Sequence, residues 1–307
     1  MIVVWILAVV AGLTASALAS DRALRAAESL GHRAGLSPFI IGLTIVSIGT
    51  DLPEIANSIS AAAAGRGDLA VGDATGSAAT QITFVLGVLL FIAPIRTNRM
   101  FVSSVGGLTV VALLLASALM ADGQISNFDG LILMAVWVFS TALVSSVAET
   151  GRTSQPSLFT RGIGADVAHT LGALAIVGAG AALAVWAFAN ITDDLGVPEY
   201  VTSFFVLSVG TSLPEMIVDG KALRRGAGAL ALGDLLGSSL VDSTLSVGIG
   251  PALFSVEVSD EAAQGTLIVA GVVALAILFL LTRREHRWTS GVVLIGLYLA
   301  LFPLLLA

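Results

Sequence analysis

The sequence predicts an all-α polytopic membrane protein with ten transmembrane helices, arranged as two inverted five-helix repeats whose helices are broken at the membrane midplane. Three observations predict this fold class. The 307 residues are 56% hydrophobic and only 11% charged, whereas soluble domains carry about 25% charged residues. Apolar stretches long enough to cross a bilayer recur along the whole chain. A long motif that contains acidic residues occurs twice, in the same order and with the same internal spacing.

The composition excludes several classes of function. The chain contains no cysteine, which rules out disulfide bonds, iron–sulfur clusters and thiol chemistry. Its basic residues form no cluster that could follow a nucleic acid backbone. We therefore expect no cofactor and no nucleic acid partner. The expected partners are the lipid bilayer and small cations, and we expect the chain to function as a monomer.

The apolar stretches give ten spans, since a helix needs about 20 residues to cross the hydrocarbon core. The first span ends in "ASALAS", which resembles the cleavage site of a signal peptide, but no Lys or Arg precedes Arg22. A signal peptide begins with a basic region, so we interpret this stretch as a transmembrane helix. The ten spans cover residues 2–20, 36–64, 68–93, 100–121, 127–147, 164–190, 198–220, 227–254, 262–282 and 288–306.

The basic residues predict the orientation of these spans. With the N-terminus outside the cytoplasm, thirteen of the 14 Lys and Arg residues fall in inner loops and only Arg66 falls outside. Such an excess marks the cytoplasmic side of a membrane protein. The outer loops carry acids instead, as in "TDD" at 192–194. We therefore expect a plasma (inner) membrane protein with both termini on the extracytoplasmic side.

The repeated motif indicates that the chain is a duplication. "SIGTDLPE" at 47–54 returns as "SVGTSLPE" at 208–215, which is an offset of 161 residues. The same offset relates "LAVGDATGSAATQITFVLG" at 69–87 to "LALGDLLGSSLVDSTLSVG" at 230–248. So long a register without a gap is not a product of chance.

The duplication divides the chain into a first repeat (1–147), a cytoplasmic linker (148–162) and a second repeat (163–307). Each repeat holds five spans, and five is odd, so the second repeat crosses the membrane in the opposite sense. Inverted repeats with midplane sites on interrupted helices are typical of secondary transporters.

A proline interrupts each copy of the motif. Pro53 has no N–H group and its ring clashes with the carbonyl group of Gly49, so we expect a helix break at 49–52. The carbonyl groups predicted to be freed there are those of Ser47, Gly49 or Thr50. The side chains predicted to face the two breaks are Thr50, Asp51 and Glu54 in the first copy and Thr211, Ser212 and Glu215 in the second.

The glycine-rich part of each copy supplies the other walls of a site. Gly76 allows close packing of helices, and Ser77 and Gln81, four residues apart, share one helix face. Their counterparts in the second copy are Ser238 and Asp242.

These residues predict an acid-rich site made only of oxygen ligands. Such ligands suit Na⁺, Ca²⁺ or Mn²⁺ and argue against zinc or copper. Each acid near the bilayer centre costs roughly 2.5–3.5 kcal/mol on insertion scales, and only bound cations or protons can offset this cost. The acids predicted to meet are Asp51, Glu54, Glu215 and Asp242.

Three further acids have more ordinary interpretations. Asp73 and Asp234 precede glycine-rich turns, where capping of a helix end competes with contact to an ion. Asp219 lies near the inner end of its span, next to Lys221, and is predicted to be interfacial.

The two motifs resemble those of the cation/Ca²⁺ exchanger superfamily, and most of all those of prokaryotic sodium/calcium exchangers. The resemblance implies alternating access, with one Ca²⁺ exchanged for several Na⁺ at overlapping sites. Under this resemblance Glu54 and Glu215 match the central calcium ligands. The residues that match further ligand positions are Thr50, Ser77, Thr211, Ser212, Ser238 and Asp242.

The chain departs from the family pattern at four positions. Asp51 stands where the family usually has Ser, and Gln81 stands where Asn is usual. Asp73 and Asp234 replace an Asn that is common in both repeats of the family. An extra acid beside Glu54 bears on the coupling ion, the stoichiometry and the choice of divalent ion.

We therefore expect a secondary-active antiporter that exchanges Ca²⁺ for Na⁺ across the plasma membrane, with a proton-coupled exchanger of Ca²⁺ or another divalent cation as the alternative. A cation channel is less favoured, because the duplicated broken helices do not predict a continuous pore. An intramembrane aspartyl protease would need a Gly-x-Gly-Asp motif, whose first position is Ala70 in one copy and Ala231 in the other. We expect the protein not to be an enzyme.

Overall fold

The computed structural model describes residues 2–33, 38–147 and 198–306, together with short parts of 172–191. The predicted linker at 148–162 lies outside the described residues. So does most of the predicted span at 164–190, of which residues 183–188 are helical. The chain is mainly helical.

The first half of the chain folds into long helices and two short strands. Its elements are α1 (Ile2–Arg33), α2 (Pro38–Ile40, Ile41–Val46 and Ser47–Thr50), α3 (Leu52–Ala63), α4 (Gly67–Thr80, Gln81–Val85 and Leu86–Leu89), β1 (Ile95–Arg96), α5 (Arg99–Leu119), β2 (Gln124–Ile125) and α6 (Asn127–Val147).

The second half repeats this order from its broken helix onward. Its elements are α7 (Glu199–Thr202, Ser203–Leu207 and Ser208–Thr211), α8 (Leu213–Arg224), α9 (Gly228–Val241, Asp242–Ser246 and Val247–Leu253), β3 (Val256–Glu257), α10 (Asp260–Leu281), β4 (Glu285–His286) and α11 (Trp288–Leu305).

Several of these helices are suited to a membrane. Within the described residues, five helical segments are long and apolar enough to cross a bilayer: Arg99–Leu119, Asn127–Ser146, Glu199–Arg224, Asp260–Leu281 and Trp288–Leu305. Their outer surfaces expose large apolar side chains such as Val111, Phe139 and Leu278, which lipid would cover. The fold is that of a multi-pass membrane protein.

The two proline motifs break their helices as predicted. At Asp51 the backbone turns to φ −79° and ψ 5°, and at Ser212 to φ −78° and ψ 7°. One detail of the prediction was wrong. The carbonyl group of Ser47 is not free, because it accepts a hydrogen bond from the N–H of Asp51 at 2.9 Å. The helix completes one more turn before it breaks, so that bond is made just before the proline interrupts the ladder.

The broken helices also contain π-helical turns, which the sequence analysis did not predict. These turns are Ile41–Val46, Gln81–Val85, Ser203–Leu207 and Asp242–Ser246. They occupy matching places in the two copies, and a turn of this kind often marks a functional site. Gln81 and Asp242 each begin one of them.

Two short ribbons join the copies. β1 pairs with β4 (Ile95 opposite His286), and β2 pairs with β3 (Ile125 opposite Val256), both antiparallel. Adding 161 residues to β1 gives β3, and adding 161 to β2 gives β4, so exchanging the copies converts one ribbon into the other. Because α5 leads from the first ribbon to the second and α10 leads back, these two equivalent helices run in opposite directions.

Glycine allows the helices that carry the motifs to pack closely across the copies. A Cβ atom at Gly76 would lie 2.5 Å from the carbonyl oxygen of Phe204, and one at Gly237 would lie 2.5 Å from that of Leu43. No side chain fits at such a distance. α4 therefore packs directly on α7, and α9 on α2, which brings both breaks against the opposite copy.

Candidate functional site

Three carboxylate groups converge where the breaks meet the π-helical turns. Asp51, Glu54 and Asp242 each offer an oxygen atom, and these atoms all lie within 4.8 Å of one another. All three side chains are at most 1% exposed. The carboxyl group of Glu215 faces that of Asp51. We refer to these four residues as the acidic cluster.

The acidic cluster lacks positive charge and hydrogen-bond donors. Both carboxylate oxygens of Asp51 and of Glu215, and Oε2 of Glu54, have no hydrogen-bond partner. Among the residues that the structure describes, none of the four acids forms a salt bridge. Burying a charge without a partner is unfavourable, so this arrangement calls for a bound cation or proton.

Hydroxyl groups from the two copies meet beside the acids. The Oγ atom of Ser77 lies 3.1 Å from Oγ1 of Thr211 and donates to Oε1 of Glu54 at 3.4 Å. The equivalent pair on the other side is Thr50 and Ser238, whose hydroxyl oxygens are 3.4 Å apart. Each pair joins a residue at a helix break in one copy to a glycine-rich helix of the other.

Gln81 and Asp242 meet where the two copies face each other. The Nε2 atom of Gln81 donates to Oδ2 of Asp242 at 2.9 Å. Ser246 donates to Oδ1 of Asp242 at 2.9 Å, and Ser239 donates to Oε1 of Gln81 at 3.1 Å. Asp242 is thus the most fully hydrogen-bonded acid of the cluster.

Ser212 is the remaining residue that the sequence analysis singled out. Its side chain is 1% exposed and its hydroxyl oxygen has no hydrogen-bond partner. It occupies the same position as Asp51 in the other copy, at the point where the helix breaks.

Asp73 supports the site rather than capping a helix. It lies in the middle of the segment Gly67–Thr80, so the helix-end interpretation was wrong. Its Oδ1 atom accepts from Thr211 at 3.1 Å and its Oδ2 atom from Asn57 at 3.0 Å. Asn57 was missed by the sequence analysis; its place four residues after Pro53 on α3 was the available signal.

Asp219 is also placed differently from the prediction. It is 0% exposed, so it is not interfacial. α8 continues to Arg224, which leaves Asp219 more than a turn from the helix end. The signal that could have identified it is its spacing of four residues from Glu215, which puts both on one helix face.

The donor set fits hard cations. Carboxylate, hydroxyl and amide oxygens are the ligands that Ca²⁺ prefers, at six to eight per ion. The described site contains no sulfur or imidazole ligand.

The chain matches a known family over most of its length. Residues 4–146 and 167–306 match the profile of the family described as "Sodium/calcium exchanger protein". The chain belongs to this family. Sodium/calcium exchanger proteins are transporters, so the chain is a cation antiporter of the membrane and not an enzyme. The family transports Ca²⁺ and Na⁺ without a cofactor.

Individual relatives cover nearly the whole chain. The provisionally named antiporter CaxA of Alkalimonas amylolytica is 30% identical over 91% of this chain and 91% of its own. The sodium/calcium exchanger MaX1 of Methanosarcina acetivorans is 24% identical over 99% of both chains. Among solved structures, the sodium-calcium exchanger NCX_Mj aligns over 99% of both chains with a TM-score of 0.68 at 23% identity, which shows that the fold is shared.

Proposed function

We propose that the chain exchanges Ca²⁺ for Na⁺ by alternating access at the acidic cluster. The observation that carries this proposal is the convergence of Asp51, Glu54 and Asp242 within 4.8 Å, fully buried, where only a cation or proton can neutralise them. The same oxygens would hold Ca²⁺ in one half of the cycle and Na⁺ in the other. The proposed ligands are Thr50, Asp51, Glu54, Ser77, Gln81, Thr211, Ser212, Glu215, Ser238 and Asp242.

The proposed topology has ten spans in two inverted repeats, 1–147 and 163–307, joined by a cytoplasmic linker. The opposite directions of α5 and α10, which the two ribbons fix, support it. Both termini would lie outside the cytoplasm at the plasma membrane, and one chain would suffice for transport. Movement of one repeat against the other around a fixed midplane site would expose the cluster to each side in turn.

Sodium is the proposed coupling ion because relatives that span the whole chain are named for sodium/calcium exchange. The acid at Asp51 favours a second candidate, coupling to protons. Both of its oxygens lack hydrogen-bond partners beside Glu215, and a proton bound there would neutralise the same charge as Na⁺.

The test is uptake of ⁴⁵Ca²⁺ into proteoliposomes under an imposed Na⁺ gradient or an imposed H⁺ gradient. We expect uptake by the wild type to follow the Na⁺ gradient and to be abolished in Glu54→Gln and Glu215→Gln. The matched control is Glu257→Gln, which makes the same chemical change at an exposed position on β3. Uptake that follows only the H⁺ gradient would favour the second candidate. Normal uptake by Glu54→Gln would refute the proposed site.

A further inference from the structure

Asp219 is a buried acid outside the acidic cluster. Its side chain is 0% exposed and neither of its carboxylate oxygens has a hydrogen-bond partner. The charged group that faces it is the carboxyl group of Asp234 on α9. Lys221 and Arg224, the basic residues of the same helix, are exposed and do not pair with it.

The two copies differ at this place. In the first copy the position of Asp219 is taken by Ser58, whose Oγ atom accepts a hydrogen bond from the N–H of Gly250 at 3.2 Å. The first copy therefore has one acid here, Asp73, and both of its oxygens accept hydrogen bonds.

The second copy has lost a donor and gained a charge. The position of Asn57, which donates to Asp73, is taken by Val218, which has no donor. Asp219 then places a second carboxyl group against Asp234. Two facing buried carboxylates repel each other unless a positive charge lies between them.

A series of oxygen atoms connects this pair to the central site. Oδ1 of Asp234 lies 3.5 Å from the hydroxyl oxygen of Thr50, which in turn lies 3.4 Å from that of Ser238. Asp219 also follows Glu215 by one helical turn on the same face. An ion that leaves the acidic cluster toward α8 would meet oxygen ligands along the way.

We propose that Asp219 and Asp234 form a second divalent-cation site, present only in the second repeat and adjacent to the exchange site. The charge of two carboxylates matches that of one divalent ion, and their hard oxygens suit Ca²⁺. This proposal rests on the proposed function, because the second site would hold an ion on its way to or from the acidic cluster. It makes the two halves of the ion path chemically different although the folds of the two repeats match.

The test is equilibrium binding of ⁴⁵Ca²⁺ to the purified full chain in detergent without Na⁺. The wild type should bind one Ca²⁺ more per chain than Asp219→Asn or Asp219→Ser, the latter giving the second copy the serine of the first. Ser58→Ala, at the equivalent position, should bind as many ions as the wild type. Equal stoichiometry in the wild type and the Asp219 variants would overturn the proposal.

Two further variants keep the outcome interpretable. Val218→Asn retains both acids but restores the donor of the first copy, so it should weaken the second site even if the Asp219 variants fold poorly. Unchanged Ca²⁺ affinity at that site would also count against the proposal. Glu54→Gln should remove the central ion and leave the Asp219-dependent one. If Glu54→Gln abolishes exchange while the Asp219 variants bind normally, only the second site is refuted.

Discussion

Gln81 and Asp242 are 161 residues apart in the chain, yet the amide group of one donates to the carboxylate group of the other across 2.9 Å. They occupy the same position in the two copies, so the contact joins the copies at the point where they face each other. An amide on one side and an acid on the other makes the contact attractive, whereas two acids would repel.

Replacing Gln81 by leucine tests this contact. Oδ2 of Asp242 would lose its donor and stay buried, which should lower the free energy of unfolding of the ion-free protein by about 1–3 kcal/mol. Thermal unfolding in detergent with a chelator measures this. Gln124→Leu, at an exposed position on β2, is the control. An unchanged melting temperature for Gln81→Leu would show that the bond contributes nothing.

Asp51→Ser should have opposite effects on stability and on binding. It removes a buried carboxylate whose oxygens have no partner, so the ion-free protein should unfold at a higher temperature than the wild type. Ca²⁺ should bind about tenfold more weakly or worse, a factor that corresponds to about 1.4 kcal/mol.

Calorimetric unfolding without ions and ⁴⁵Ca²⁺ binding measure these two effects of Asp51→Ser. Asp122→Ser, which removes an exposed acid, should change neither. A lower melting temperature in the ion-free Asp51→Ser variant would contradict the prediction.

Asn57→Leu should weaken ion binding although Asn57 is not a proposed ligand. Asn57 donates to Asp73, which accepts from the proposed ligand Thr211. Loss of such an outer contact typically lowers metal affinity about 10–100-fold. Titration with Ca²⁺ measures it, and Val218→Leu, at the equivalent position of the second copy, is the control. Equal affinities for the two variants would argue against a supporting role for Asn57.

Gly237→Ala should separate α9 from α2. The added Cβ atom would lie 2.5 Å from the carbonyl oxygen of Leu43 and 2.8 Å from its Cα atom, and neither backbone atom can move without its helix. We expect loss of exchange and a lower melting temperature. Gly271→Ala on α10, where nothing lies within 4 Å, should be stabilised by up to about 1 kcal/mol. Normal transport by Gly237→Ala would contradict this interpretation of the packing.

Glu285 predicts a pH dependence at the ribbon between β1 and β4. Hydrogen bonds from Arg287 and then Arg96 hold the pKa of this carboxyl group below its usual value. A lowered pKa in the folded protein contributes stability above the unfolded value of about 4.3, and that contribution is lost as the pH falls through the folded value. At this surface position the effect is small.

Melting temperatures of the wild type and Glu285→Gln, measured from pH 7 down to pH 3, test this dependence. Their difference should shrink as the pH falls. A difference that grows in acid would have the wrong sign.

The sequence analysis located the helix breaks because proline acts locally. Pro53 removes a donor whatever surrounds it, and the copy at Pro214 repeats the effect. Spacing along one helix likewise brought Ser77 and Gln81 to one face. Contacts between helices were beyond this kind of argument: nothing in the spacing places Ser239 on the carbonyl oxygen of Ala78, which it contacts at 3.1 Å.

The errors have physical causes as well. Asp219 was judged by its neighbour Lys221 in the chain, but residues two apart point to different sides of a helix. The π-helical turns were not predicted because each adds a single residue to a turn and changes no apolar period strongly enough to detect.

The two ribbons restrict how the repeats can move. One lies at each end of α5 and α10, and each holds a strand from both repeats. Pulling the repeats straight apart would break backbone hydrogen bonds at both ends together. A rocking or sliding motion about the α5–α10 pair would leave them intact, which makes this pair the stationary frame of the molecule and the broken helices its moving parts.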